Sequence, residues 1–289
     1  MANSIVAAPA VLAESVIAAI RGRLPSLDGF SKVFTALEGQ AGKAVQVPLV
    51  GYGTASQFST GGYLTGDDAN LTAATVTLKH FKYSARFSPL DVKSYGAQYL
   101  VNAFTPTAAV AIAEAALGEV AALLIAANYS ASINTGASLS YAELITAKQT
   151  LDQARAGDPR SFVLNPTYAN GLLTDSQLIG VLGLQAPVIS SGKIGFVAGA
   201  NSYMWSTLPT NSENLAGFAC GADAIAVAAG LPYSEIPGFD MAVATDDQSG
   251  LSIQILMGQE QSGYYNVTAT LLFGAAVGRA TSLVRLTTA

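Results

Sequence analysis

Between Ala44 and Leu78 the chain carries no lysine or arginine, and this run, AVQVPLVGYGTASQFSTGGYLTGDDANLTAATVTL, limits what the molecule can be. Short apolar alternations stand at both ends. Val45, Val47 and Leu49 predict one apolar face on an outgoing strand, and Leu71, Ala73, Val76 and Leu78 a less regular one on the return. The middle is too polar and Gly-rich for a core, yet it holds Tyr52, Phe58, Tyr63 and Leu64, with Asp67 and Asp68 as its charges. An isolated hairpin is marginal in water and cannot bury such a tip against itself. The arm is therefore expected to pack on something else, most economically another copy of the chain.

The rest of the composition agrees. At 289 residues there is room for one large or two ordinary domains with a real core. Hydrophobic residues make up 51% and charged residues only 11%, where about a quarter is usual. So little charge implies that partners cover much of the surface. The net charge of −5 argues against binding nucleic acid over the whole surface. Residues 1–93 hold eight Lys/Arg and six Asp/Glu, the remainder six and thirteen, which fits opposite signs on two faces of an oligomer. Cys220 is the single cysteine, so an intrachain disulfide and a Cys-cluster metal site are excluded, and its apolar surroundings predict a buried thiol. The start lacks a basic segment and Glu14 interrupts its apolar run, unlike a signal peptide. Thr107–Ala127 is long enough to span a bilayer but carries Glu114 and Glu119, so a buried helix is expected and no membrane partner.

Local signals give the order of parts. Val11–Arg23 reads as a helix ended by Pro25. Phe81, Tyr83, Ala85 and Phe87 alternate as one face of a strand. Ser88 and Pro89 open a helix to Val101, and Thr105–Pro106 open a long Ala-rich one. Ser140 caps a helix to Ala154; Ser161–Leu164 is a buried strand; Asn165–Pro166 start a short helix through Leu173. Met204–Leu208 reads as a strand and Ala222–Ala229 as a compact buried helix stopped by Gly230 and Pro232. Period two returns at Leu251–Met257 and Tyr265–Leu271, with a last strand at Ser282–Leu286.

Chemistry is sparse. His80 is the sole histidine and has neither the ligands of a zinc site nor an oriented base partner. GKIGFVAG and GYGTAS lack the spacing and context of phosphate loops. Asn165-Pro166-Thr167-Tyr168 matches a short sorting pattern but suits a helix start. Asp67–Asp68 and Asp246–Asp247 are too few carboxylates for a hard cation and read as exposed turns, and Trp205 as core or interface. No enzyme, cofactor or metal is expected.

The ordered series resembles the major capsid protein of tailed bacteriophages, the Hong Kong 97-type fold. The residues that carry the resemblance are the arm at Val45–Leu78, the long helix at Pro106–Ala127, and LITAKQTLDQARAGDPRSFVLNPTYANGLLTD at Leu144–Asp175. GKIGFVAGANSYMWSTLP and the closing GLSIQILMGQEQSGYYNVTATLLFGAAVGRATSLVRL are similar too. The resemblance implies an α+β chain: amino-terminal arm 1–42, extended loop 43–80, peripheral domain with spine helix 81–130, axial domain 131–235, and a return to the peripheral domain at 236–289. It implies an icosahedral virion shell of pentamers and hexamers enclosing double-stranded DNA without sequence specificity, assembled in the bacterial cytoplasm, with a portal protein and scaffold or decoration proteins as partners. No fused amino-terminal scaffolding segment is expected. The loop of one subunit would overlie its neighbour's spine through Tyr52, Phe58, Tyr63, Leu64, Asp67 and Asp68. Arg21, Arg23 and Lys32 would face DNA phosphates. Some relatives join subunits by an isopeptide bond from a loop lysine. Here Lys43 and Lys79 lie at the loop's feet and none near its tip, so no such crosslink is expected. An encapsulin-like compartment holding cargo protein is the alternative; a surface-binding module with a Tyr/Asn groove is the third reading.

Overall fold

In this computed structural model the described residues are 9–21, 31–36, 42–50, 71–136, 138–173, 175, 195–231, 239–246, 250–260 and 262–288. One long strand organises the first sheet. Strand β13 (Tyr265–Val277) pairs antiparallel with β4 (Lys79–Phe87) along Tyr265–Phe273. Its other edge is shared end to end by β12 (Ser252–Gln259), opposite Tyr265–Thr270, and β10 (Ile225–Gly230), opposite Leu272–Val277. Strand β11 (Asp240–Thr245) extends the sheet antiparallel from β12, and β1 (Ser31–Ala36) extends it parallel from β10.

Period two decides which face turns inward. Val267, Ala269, Leu271 and Phe273 share a face with Ile253, Ile255 and Met257 and with the half-buried Phe81, Tyr83 and Ala85. Two helices cover that face. Helix α1 (Pro9–Arg21) sets Leu12, Ala13, Val16, Ile17 and Ile20 into the core beside β11 and β12. The spine α3 (Ala97–Ala122) contributes Phe104, Ala108, Ala109, Ile112, Ala116 and Val120. Full burial of a Phe104- or Leu12-sized side chain is worth about 1.5–3 kcal/mol, so these two helices are the main apolar cover of the sheet.

Between β4 and the spine lies α2 (Pro89–Tyr95), capped by the Ser88 hydroxyl accepting the Leu90 N–H at 3.2 Å. It stops at Gly96, whose φ of 75° and ψ of −176° are open essentially to glycine alone. The sequence signals placed the break at Pro106; the structure places it at Gly96, and Pro106 lies inside a 26-residue helix about 39 Å long. The spine also ends at Ala122, short of the expected Ala127. A proline interrupts one helical bond, whereas a glycine at positive φ turns the whole chain.

The expected helix at Ala222–Ala229 is the strand β10. Both of its faces are buried: Ile225, Val227 and Ala229 face the helices, while Ala226 and Ala228 join a second apolar layer. Double burial makes the run continuously apolar, and periodicity then cannot separate strand from helix.

The second sheet runs β5 (Ser132–Asn134), β14 (Leu283–Thr287), β9 (Leu215–Gly221), β6 (Arg160–Leu164), β8 (Ala200–Met204), β7 (Phe196–Val197). Helix α4 (Tyr141–Gln153) lays Leu144, Ala147 and Leu151 against Ala219, Val284 and Leu286, and Glu143 accepts the Ser140 N–H at 2.7 Å at its start. Helix α5 (Pro166–Leu172) begins as expected, with Asn165 Oδ1 accepting the Thr167 N–H at 3.0 Å. Met204 ends strand β8 rather than opening one, because Trp205–Leu208 turns inward to fill the core. Strand β10 completes the first sheet, and β14 sits inside the second. Strand pairing follows edge availability, which linear order does not reveal.

The spine assignment has a direct test. If Pro106 is interior, Pro106→Ala restores a helical N–H and should stabilise the subunit by about 1–3 kcal/mol in urea unfolding. A helix that began at Pro106 would gain nothing from the change.

Candidate assembly surfaces

The arm rises from the face of the first sheet opposite the helices. Strands β2 (Ala44–Val50) and β3 (Leu71–Thr77) pair antiparallel, with Val45 opposite Val76 and Val47 opposite Ala74. Val47, Leu49, Ala74, Val76 and Leu78 are buried, and they rest on Ala226 and Ala228 of β10. The register corrects one expectation: Ala73 points outward and Ala74 inward, in phase with Val76 and Leu78. It corrects a second as well, since the base of the arm packs on its own subunit. The approach is backbone to backbone, because a Cβ at Gly274 would lie 2.4 Å from the Thr77 carbonyl oxygen. Gly42 N–H to Leu78 O (2.7 Å) and Leu78 N–H to Lys43 O (3.1 Å) close the foot, and Lys79 Nζ reaches Glu119 of the spine at 2.7 Å. That ion pair is partly exposed and contributes about 0.2–1 kcal/mol. The predicted contact residues Tyr52, Phe58, Tyr63, Leu64, Asp67 and Asp68 lie outside the described residues. So does Arg23; Arg21 ends α1 and Lys32 lies in β1, but their side chains are likewise outside.

A second surface surrounds α2. Leu90 is 74% and Tyr95 67% exposed, on a helix whose last turn carries Lys93. Aromatic rings connect this surface to the core: Tyr95 lies 5.2 Å from Tyr99, Tyr99 6.3 Å edge-on to Phe87, and Phe87 6.4 Å from the buried Phe104. Next to it, Glu260 accepts from Asn266 (2.7 Å), Ser262 (2.9 Å) and Arg86 (2.8 Å), and Arg86 stacks 3.9 Å over the Tyr264 ring. The Asn266 amide foremost, then Ser262 and Arg86, hold the Glu260 carboxyl below its ordinary range. This bond set is therefore complete above the ordinary carboxylate value and is lost as pH falls through the lowered one.

The spine's carboxyl end is held by a polar clamp that motif reading missed. Asn211 Nδ2 donates to the carbonyls of Ala121 (2.8 Å) and Leu124 (2.9 Å), satisfying helix-end acceptors. Glu213 accepts the Ala126 N–H at 3.0 Å and pairs with Arg285 of β14, whose Nε donates to Tyr129 O at 2.8 Å. Asn211, Ser212 and Asn214 hold positive φ values of 51°, 57° and 52°, a local cost that these bonds offset. The visible signal was Arg285 itself, a lone cation in an apolar strand that demands a partner.

The remaining candidates are structural. Cys220 is fully buried and burial raises its thiol pKa, as expected of an inert sulfur. Trp205 is core, its Nε1 donating to Thr207 at 3.0 Å. His80 is the second residue of β4, and burial foremost, with Lys82, lowers its pKa. Asp246, expected as an exposed turn residue, is buried at the end of β11, where its N–H bonds Leu251 O at 2.8 Å; Asp247 lies outside the described residues. Among the described residues no cluster of three or more His, Cys, Asp or Glu could hold a metal ion.

Two substitutions test these anchors. Gly274→Val should cost about 1–3 kcal/mol and speed amide exchange in β2 and β3 ahead of β12, because the added methyls have no room under Thr77. Glu213→Ala leaves Arg285, 5% exposed, without its carboxylate, and should cost about 3 kcal/mol in urea; the pair Glu213→Leu, Arg285→Met should recover most of it.

No protein-family model and no curated protein sequence matches the chain. Solved structures do. The capsid of the cyanophage P-SCSP1u aligns at a TM-score of 0.59 and 17% identity, covering 90% of this chain and 86% of that one. The virus-like particle from Pyrococcus furiosus aligns at 0.57 and 12%, covering 96% and 97%. A Mycobacterium phage Che8 structure aligns at 0.52 and 18%, covering 98% and 89%. At these identities the likeness is one of fold, and the fold is the α+β Hong Kong 97-type fold of phage capsid proteins.

Proposed function

We propose that this chain, built on the Hong Kong 97-type fold, is a major capsid protein that self-assembles into an icosahedral shell around phage double-stranded DNA. The observation that carries this is the arm. A two-stranded base is anchored on β10 and β13, and the chain continues past it into an aromatic, cation-free segment that its own hairpin cannot bury. The extended loop at 43–80 then joins copies into pentamers and hexamers, with Tyr52, Phe58, Tyr63, Leu64, Asp67 and Asp68 as contacts. Many weak identical contacts sum to a stable container through symmetry. Residues 1–42 form the amino-terminal arm, with Arg21, Arg23 and Lys32 touching DNA phosphates without reading sequence. The peripheral unit is the first sheet with α1 and α3, and the axial unit is the second sheet including β14. A portal protein, and scaffold or decoration proteins, are the further partners; the site is the virion capsid, built in the bacterial cytoplasm. Function here is mechanical, and no catalytic residue is assigned.

The second reading is an encapsulin-like compartment that encloses cargo protein. The similarity to the virus-like particle from Pyrococcus furiosus favours keeping it. Particles purified from an infected or expressing host separate the two: the capsid reading expects nuclease-protected DNA inside, the compartment reading protein cargo. Phe58→Ser with Tyr63→Ser should abolish most particle formation while shifting the subunit's unfolding midpoint little. Equal loss of subunit stability would place those rings in a core and overturn the arm's role.

A further inference from the structure

We infer that the receiving surface for the arm tip is α2 of a neighbouring copy, not the exposed side of its spine. This rests on the self-assembly reading above and deepens it. Charge decides between the two surfaces. The run from Ala44 to Leu78 carries Asp67 and Asp68 and no cation, so its tip is acidic and aromatic. The spine offers nothing complementary: no Lys or Arg occurs between Lys93 and Lys148, and the helix's charges are Glu114 and Glu119, the latter paired with Lys79. An acidic tip laid along it meets like charge, which opposes association.

The described cations narrow the choice. Lys79, Arg86, Lys148, Arg160, Arg279 and Arg285 are each committed to a carboxylate of their own subunit. Among the rest, Lys93 shares a short helix with the two most exposed large apolar side chains described, Leu90 at 74% and Tyr95 at 67%. Leu90 and Lys93 are three residues apart and so lie on one side of the helix. Tyr95 is held by its stacking on Tyr99, so it offers an aromatic surface already ordered before contact. The opposing charges are Asp91, in the first turn of α2, and Glu260, bonded to Arg86. Leu90 and Lys93, whose ammonium has no carboxylate partner among the described residues, form one side of this short helix, and the exposed Tyr95 ring stands at its end. An aliphatic surface beside an ammonium, with an aromatic ring nearby on the same helix, is the chemistry that fits a segment of Phe, Tyr, Leu and Asp. Occupancy by a second copy's residues 58–68 satisfies both the charge and the apolar surface.

Charge exchange between copies is the test. Lys93→Glu alone, and Asp67→Lys with Asp68→Lys alone, should each raise the subunit concentration needed for particle formation roughly fivefold or more, the effect of many weak pairs acting together. Combined in one chain, they should restore assembly to within about twofold of the original. Single-side variants that assemble normally, or a combination no better than its parts, overturn the inference while wild-type particles keep the shell reading intact. Absence of particles from the wild type sinks both. A second measurement does not depend on variant assembly strength: Asp68→Cys with Ser94→Cys should give disulfide-linked oligomers on a non-reducing gel of oxidised particles. Ser94 is exposed and the native Cys220 is buried, so a reagent or oxidant reaches only the introduced thiols. Monomers alone on that gel contradict the placement.

Discussion

Everything else in this molecule is arranged around strands β10 and β13 being covered on both faces. The helices α1 and α3 take one face and the base of the arm takes the other. A sheet buried on both sides requires small residues where a second layer comes close, and here they are Ala226, Ala228 and Gly274. Their smallness lets the two-stranded base of the arm lie directly on the sheet, with Thr77 against Gly274.

The second constraint is closure of the chain on itself. Strand β14 is remote in sequence from both of its neighbours, yet it lies between β5 and β9 and carries Arg285 into the clamp with Glu213. The same clamp holds the turn that follows the spine, and Asn211 satisfies the spine's terminal carbonyls. The two sheets are thus coupled through the end of one helix. A disturbance at Arg285 reaches both, which explains why an apolar strand tolerates an arginine.

Much of this was readable from residues, and the misses share a cause. The outgoing strand at the base of the arm, the strand at Phe81–Phe87, the caps at Ser88, Ser140 and Asn165, and the alternations at Leu251–Met257 and Tyr265–Leu271 are local signals, and each lies where its pattern placed it. The strand β10 was misread because tertiary cover on both faces erased its alternation. The helix break was misread because Pro106 looks like a start signal, while Gly96 owes its role to a backbone angle. Ala73 and Ala74 were exchanged because both are alanine and only the pairing with Val47 tells them apart. The clamp joins residues 121–131, 211–213 and 285, which no linear motif links. As for the candidate site, its tip composition was legible, whereas the surface that meets it needed the exposure of Leu90 and Tyr95 to be known.

The claim on which the rest turns is that this chain is a shell subunit rather than a free-standing protein. Sedimentation velocity of the purified wild-type chain tests it most directly. The expected result is one fast, discrete boundary of closed particles, seen as uniform shells by electron microscopy, in exchange with small capsomer-sized oligomers. A single slow boundary at the 29.5 kDa of one chain, unchanged across concentration and salt, would contradict it.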